Sequence, residues 1–486
     1  MKLYSSLEGK VVDIITDNPH EVKIYSCGPT VYYDMHLGNI RAYVDWDILH
    51  RAFVYCGYNV KRIMNITDVG HMTSSNDYGS DFGEEKMDKE ALKEGLAPLD
   101  IANKYIDSVL NDFRLLNILT PSGEEISESM NHTNIGKYGW TRATEYIGEM
   151  ISMIEKIERN GYTYETDQAL YFDVSKIPDY TIFTGQELAE KAEGIREGVN
   201  VDPKKRNSAD FVLWMKRVGR YKNHIMNWDS PWGNGFPGWH IECSAMGTSV
   251  LGEHIDIHTG GVDHIPVHHT NERAQNIAAF GHPVVKYWIH NEWLVNKDNE
   301  KLSKSRGADT LNEILKKGYN PMDIRYFFMA VNYHSRINFS LSALEGARNS
   351  RLSLFSKVKD LGDDIGSVIP VYVDLFKKEL ENNLNMSGVL AVVNEMLHSN
   401  EENKDKLATI LDFDRVLGLN IKGSLIENGS EEYKEGQNME LDTLLKERQE
   451  AKLSKDYDKA DAIRKKIEGF GYMVIDSPSG QSVKRI

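Results

Sequence analysis

The chain has 486 residues, 41% hydrophobic and 27% charged, which is the composition of a soluble globular protein long enough for about three domains. Its net charge of −16 argues against a general nucleic-acid coat but leaves room for local basic patches. No apolar run approaches the roughly 20 residues of a membrane span, and three cysteines (Cys27, Cys56 and Cys243) make no disulfide framework. The N-terminal MKLYSSLEGK also lacks the apolar stretch of a signal peptide. A reducing cytoplasm is the expected compartment.

The first elements are a strand over VKIYSC, residues 22–27, a break at Gly28-Pro29, and a helix from about His36 to Tyr55. A second β-branched run, NVKRIMNIT, follows, so residues 22–70 read as a βαβ unit and imply a parallel sheet. Strand, Gly-containing turn and helix N-terminus is an arrangement that binds phosphates, through free N–H groups and the helix dipole. Cys27, at the turn, reads on this stretch alone as a small buried hydrophobe. Residues 71–95 open as a polar Gly/Ser/Asp loop, and a helix ends near Leu116.

Residues 119–225 change character and read as an inserted α+β module. They hold a long helix near 138–160 and a hairpin over NGYTYETDQALYFDV. Sheet-like runs resume with HIDIHTGG and VVKYWIHNEWL. From about Gly346 leucine-rich helical patterns dominate. The polar stretch KGSLIENGSEEYKEGQN then sets off a small C-terminal unit, with two short amphipathic helices expected between Leu441 and Ile467. Residues 446–466 carry eight basic and five acidic side chains, which is either a solvated helix face or a phosphate-binding one.

Chemistry-bearing residues fall in four stretches. Cys27 and His36-Leu37-Gly38-Asn39 form the first, and PGWHIECSAMG with Cys243 the second. In the third, PVHHTNERAQ, a helix would put His268 and Glu272 on one face. Two cysteines, a histidine and a glutamate are ligand types that zinc accepts. They come from three places in the chain, however, and a core Cys243 with a polar His268-His269 surface pair fits the spacing too. The fourth stretch, NKDNEKLSKSRGADT, sets Lys301 and Lys304 among serines and suits a loop that closes on a polyphosphate.

Together CGPTVYYDMHLGN, NSADFVLWM, PGWHIECSAM, DIHTGGVDH, HHTNE and KLSKS resemble the cysteinyl-tRNA synthetase family of class I aminoacyl-tRNA synthetases, in order and in spacing. The likeness extends to the tail, AKLSKDYDKADAIRKKIEGFGYMVIDSPSG. It implies an α/β fold: a Rossmann-type parallel-sheet catalytic domain split by an α+β insertion, then a helical bundle and a small C-terminal domain. The implied boundaries are 1–118 and 226–296 for the halves of the catalytic domain, and 119–225 for the insertion. A connecting segment with the KLSKS loop would cover 297–345, the bundle 346–427 and an anticodon-binding unit 428–486.

The resemblance also implies roles. Cys27, Cys243, His268 and Glu272 would hold one zinc per chain, and Thr67, Trp239 and Asp263 would line the amino-acid pocket. His36, Gly38, Asn39, Lys301 and Lys304 would serve ATP, with Mg2+ accompanying it. The implied partners are L-cysteine, ATP and tRNA(Cys), with no membrane, and the expected state is a monomer. The cysteine–sugar ligase of mycothiol synthesis shares such a core but lacks the tail, so the C-terminal unit favours the tRNA enzyme. The chain departs from the family pattern at Asn39, where histidine is usual, at VGHMTSSND after NITD, at Thr270 and at Leu302.

Overall fold

The computed structural model describes residues 1–69, 86–185, 202–302, 307–427, 439–454, 456–469, 472–477 and 480–485. Most of the polar 71–95 loop, Lys304 with its neighbours 303–306, Lys455 and the 428–438 separator lie outside the described residues. The chain divides into two compact units. One comprises residues 1–315 and 319–419, the other 316–318 and 420–486.

The larger unit is built on a five-stranded parallel sheet. Its strand order is Val285–Asn291, Ile255–Gly261, Glu21–Ser26, Asn59–Ile66 and Trp140–Arg142. The first strand in sequence, Glu21–Ser26, sits in the middle. Successive strands are laid on one side of it, and the chain then crosses to the other side. That is Rossmann topology, and the reversal of direction falls between Glu21–Ser26 and Ile255–Gly261. Both strands are apolar because both faces are covered: Val22, Ile24, Tyr25 and Ile257 are all buried.

The Leu37–Tyr55 helix crosses between Glu21–Ser26 and Asn59–Ile66 and is buried on nearly every side. Its start is fixed by a capping box. His36 Nδ1 accepts from the Gly38 N–H, and Asn39 Oδ1 accepts from the His36 N–H.

The stretch read as one long helix near 138–160 is two elements. Trp140–Arg142 pairs parallel with Met64–Ile66 as the last strand of the sheet, and the helix runs only over Ile147–Arg159. This edge strand therefore lies inside the stretch read as the insertion. The expected hairpin is present, with Thr163–Glu165 antiparallel to Ala169–Phe172. It belongs to a four-stranded antiparallel sheet completed by Phe211–Lys216 and Gly235–Pro237. The last of these strands runs through Gly238 into the Trp239–Leu251 helix. A core of Tyr25, Met150, Ile154, Trp214, Met246, Ala274 and Trp288 joins the sheets to the helices.

Beyond Val295 the unit is mainly helical, with helices at Leu311–Lys316, Pro321–Met329, Leu341–Lys359, Pro370–Glu381, Met386–His398 and Asn403–Leu417. The smaller unit has helices Ile421–Glu427, Met439–Leu453 and Tyr457–Gly469 and a hairpin of Tyr472–Ser477 with Gly480–Arg485. Leu441, Ile463, Ile467 and Val474 form its core, as the helical spacing predicts. Arg448, at helical spacing with Leu441, Leu444 and Leu445, is buried on the apolar side of its helix. Lys446, Lys459, Lys465 and Lys466 are exposed. No helix among the described residues is long and apolar enough to cross a membrane.

Candidate active site and metal centre

Open parallel sheets bind ligands beyond the carboxyl ends of their strands, where the strand order reverses. Here that point gathers the residues singled out in the sequence. Cys27 follows Ser26 directly, and its N–H donates to the Thr259 carbonyl of the neighbouring strand. Gly28 then turns the chain against the next strand. Its N–H donates to Asn65 Oδ1, and a Cβ there would stand 1.7 Å from the Asn65 carbonyl oxygen. Thr67 closes the same turn from the other side. Its N–H donates to the Pro29 carbonyl, and its hydroxyl accepts from Asn65 Nδ2.

Cys243 comes from the Trp239–Leu251 helix, one turn after Trp239. His268 and Glu272 come from the segment after Ile255–Gly261. There Ile265–His269 makes a π-turn that leads into the Thr270–Phe280 helix. Such wide turns recur at functional sites, and this one buries both His268 and His269. His268 Nε2 lies 2.9 Å from Glu272 Oε1. The Trp239 ring stacks on the His268 imidazole at 4.4 Å, and His240 Nδ1 meets His268 Nδ1 at 2.9 Å.

The ligand-type atoms of Cys27, Cys243, His268 and Glu272 lie within 4.8 Å of one another, and all four residues are buried. Tetrahedral zinc at roughly 2.0–2.3 Å from its ligands holds donors roughly 3.3–3.8 Å apart. The set therefore matches such an ion in donor type and number, and its donor atoms lie close together. The electrostatics agree. Burial pushes the Cys243 thiol up, but a hydrogen bond with Cys27 and the nearby His268 bring it down to about 6. Burial and the neighbouring Cys243 push Cys27 up instead. Burial would lower His268, yet Glu272 and Cys243 raise it to about 10. Glu272 is held far below the usual carboxylate range, because His258 and His268 outweigh its burial. Without a cation, one proton on His268 balances a nest of anionic donors, and a divalent ion can take that place.

The phosphate-type residues sit at the start of the Leu37–Tyr55 helix. The Leu37 N–H donates to the Asp309 carbonyl, and His36 bridges to Thr310. A Cβ on Gly38 would stand 3.2 Å from the Leu302 carbonyl oxygen. Leu302 and Asp309-Thr310, on either side of residues 303–306, thus lie against the HLGN turn. Lys301 Nζ pairs with Asp263 Oδ2 at 3.1 Å, and Trp293 Nε1 donates to Asp263 Oδ1 at 3.3 Å. Burial would raise the Asp263 carboxyl, but Lys301 and His264 hold it down to about 2. Lys304 lies outside the described residues.

Sequence reasoning missed a cluster of buried histidines, His240, His258, His269 and His290, which surrounds these donors. His258 and His290 sit on adjacent strands, at inward positions with no motif spacing.

The family model described as the tRNA synthetase class I (C) catalytic domain matches residues 14–349. The cysteine–tRNA ligase of Treponema denticola is 37% identical over 100% of both chains. Cysteine–tRNA ligase 1 of Burkholderia lata is 37% identical over 95% of this chain and 92% of its own. The cysteine–tRNA ligase of Deinococcus radiodurans is 36% identical over 99% and 96%. Among solved structures, a Mycobacterium tuberculosis methionyl-tRNA synthetase with methionyl-adenylate superposes with a TM-score of 0.53, at 13% identity, over 84% of this chain and 93% of that one. LeuRS of Agrobacterium radiobacter K84, in a ternary complex, gives 0.55 at 11% identity over 86% and 85%. The two structural likenesses carry the Rossmann-type class I fold alone, while the curated relatives span essentially the whole chain. The chain belongs to the cysteine–tRNA ligase family of class I aminoacyl-tRNA synthetases.

Proposed function

We propose that the chain activates L-cysteine with ATP and transfers the cysteinyl group to the 3′ end of tRNA(Cys). The observation that carries this reading is the buried Cys27/Cys243/His268/Glu272 set at the point of strand-order reversal. The cysteine carboxylate would attack the α-phosphorus, a P–O bond would form, and pyrophosphate would leave. The adenylate's acyl group would then pass to a terminal ribose hydroxyl, releasing AMP. Steps of this kind need positioning and charge stabilisation rather than a protein nucleophile.

His36, the Gly38 turn, the Asn39 amide, Lys301 and Lys304 are the groups we assign to ATP, with Mg2+ on its phosphates. Asn39 spends its oxygen on the helix cap, and its amide nitrogen carries the donors. Asp263, held low by Lys301 and His264, suits the substrate ammonium, and Thr67 and Trp239 are the other residues we assign to the amino-acid pocket. One zinc per chain on the four donors would supply an affinity for a thiolate that a hydroxyl cannot match. That matters because cysteine and serine differ by one atom, and pocket shape separates such near-isosteres by only about 1–3 kcal/mol. The C-terminal unit, from about residue 428, would meet tRNA near the anticodon. We further assign residues 1–118 and 226–296, with the Trp140–Arg142 edge strand, to the catalytic domain, the remainder of 119–225 to the insertion, 297–345 to the connecting segment and 346–427 to the bundle. A cytoplasmic monomer is the state proposed.

Cysteine-dependent ATP–pyrophosphate exchange tests the reading, with serine as competitor and tRNA(Cys) added in a second stage. Exchange with cysteine, none with serine, and charging of added tRNA are expected. Exchange without charging would point to a cysteine ligase with another acceptor. No exchange at all would overturn the proposal.

A further inference from the structure

Two more imidazoles reach the same ligands from behind. His269 Nε2 lies 3.3 Å from Cys27 Sγ, and His258 Nε2 lies 2.9 Å from Glu272 Oε2. The ligand-type atoms of Cys27, His258, His269 and Glu272 also lie within 4.8 Å of one another, and all four residues are buried. This second set keeps Cys27 and Glu272 and exchanges Cys243 and His268 for His258 and His269. The carboxylate serves both, with Oε1 toward His268 and Oε2 toward His258, each at 2.9 Å.

The commonplace alternative is a hydrogen-bonded core network. His269 is braced as a metal-binding imidazole is braced. Its Nδ1 meets His290 Nε2 at 2.6 Å, and His290 Nδ1 meets Ser6 Oγ at 2.8 Å. His258 is fixed by packing, stacked on Trp288 at 4.8 Å with Tyr25 edge-on at 4.9 Å. Its Nδ1 finds no hydrogen-bond partner among the described residues, so its one close polar contact there is Nε2 to the shared glutamate.

We propose that Cys27, His258, His269 and Glu272 form a second donor set for the same divalent cation. The ion then has two overlapping positions, an outer one with two thiolates and an inner one with a single thiolate and two imidazoles. The inference rests on the reading of the outer set as a zinc site. An S,N,N,O set suits zinc and the neighbouring borderline cations cobalt and nickel. The inner set holds the ion when an outer ligand is withdrawn, so the site keeps its metal without Cys243.

Cobalt reports this directly, since sulfur-to-cobalt charge transfer counts thiolates and the d–d bands report geometry. Metal-stripped full-length protein is loaded with Co2+ and its spectrum and stoichiometry are read. Wild type is expected to take up Co2+ with a two-thiolate band. Cys243→Ser is expected to retain Co2+ with the charge-transfer band cut to roughly half. Adding His258→Gln and His269→Gln to Cys243→Ser should weaken Co2+ binding by about 10–100-fold or more, the scale seen for lost metal-site partners. The two glutamine changes alone should leave the two-thiolate band. Circular dichroism checks that each variant is folded. Cys243→Ala offers a second route, with the same halved band, should the serine variant misfold. A folded Cys243→Ser protein with no bound Co2+ overturns the inference and leaves the outer site standing. So does a triple variant that binds as tightly as Cys243→Ser. Wild type that takes up no Co2+ would overturn the outer-site reading itself.

Discussion

Arg325 donates from Nη2 to Asp47 Oδ2 at 2.6 Å, and both side chains are fully buried. Arg51 Nε reaches the same oxygen at 2.8 Å, and the Leu119 N–H donates to the other. Arg325 also donates to the carbonyls of Leu417, Leu116 and Asn117. One guanidinium thus ties the helix that begins at the HLGN turn to the ends of two others. Burial would raise the Asp47 carboxyl, but Arg51 and Arg325 hold it down to about 2.

A carboxyl depressed in the folded state contributes stability above its unfolded pKa and loses that contribution as pH falls through the folded value. For Asp47 the window runs from its ordinary 3.8 down to about 2. Asp47→Asn is expected to cost roughly 3–5 kcal/mol at neutral pH, because two buried guanidiniums lose their partner. Its stability should also fall less steeply than that of wild type across the window. Urea melts at pH 7 and at several acid pH values measure both effects, and parallel acid limbs would count against the assignment.

Gly28→Ala should damage the metal centre without touching a ligand. The added Cβ meets the Asn65 carbonyl at 1.7 Å and the Met64 side chain at 2.8 Å, so the turn that carries Cys27 must move. Overpacking of this kind costs about 1–3 kcal/mol or more. Competition with a chromophoric chelator should show weaker zinc retention. Gly148→Ala is the control: it lies in the Ile147–Arg159 helix with nothing within 4 Å of its would-be Cβ. It should be neutral or stabilising by up to about 1 kcal/mol.

Lys304→Ala should slow adenylation with little change in cysteine affinity, since a cation that acts mainly in the transition state affects rate more than binding. A loss of about 10²–10³ is the scale for one such donor. Single-turnover adenylate formation measures it, and a rate within a few-fold of wild type would remove Lys304 from the chemistry.

Truncation at about Asn428 should leave pyrophosphate exchange nearly intact and cut aminoacylation steeply. The exposed Lys446, Lys459, Lys465 and Lys466 are the phosphate contacts expected to be lost, so residual charging should depend less on salt. Buried Arg448 should not contribute to that salt dependence. Equal loss of both activities would instead make the tail a prop for the fold.

The central strands are legible in the sequence as apolar runs, and the four metal-type donors through the family resemblance, since their spacing alone leaves a core Cys243 and a surface histidine pair open. Trp140–Arg142 is not legible. Three residues carry no alternation, and its strand character comes only from pairing with Met64–Ile66. The inner histidines hide for a related reason. His258 and His290 belong to different strands, and only the parallel register sets them beside the π-turn. Arg448 stands at helical spacing with Leu441 and Leu444, and the apolar face of its helix carries it inward.

The π-turn and the Cys27 turn also bear on how the chain assembles. Cys27 and Glu272 are 245 positions apart (272 − 27), with the antiparallel sheet lying between them. Closing a loop of that size costs roughly 5 kcal/mol of chain entropy, nearly independent of the details of its path. During synthesis the donor set stays incomplete until the ribosome has passed Glu272, well after the first crossover of the sheet can form. A bound ion would then act as a late clasp. It would join an early-made strand end to a late-made helix, and its gain in stability would fall mainly on unfolding rather than on the first steps of folding.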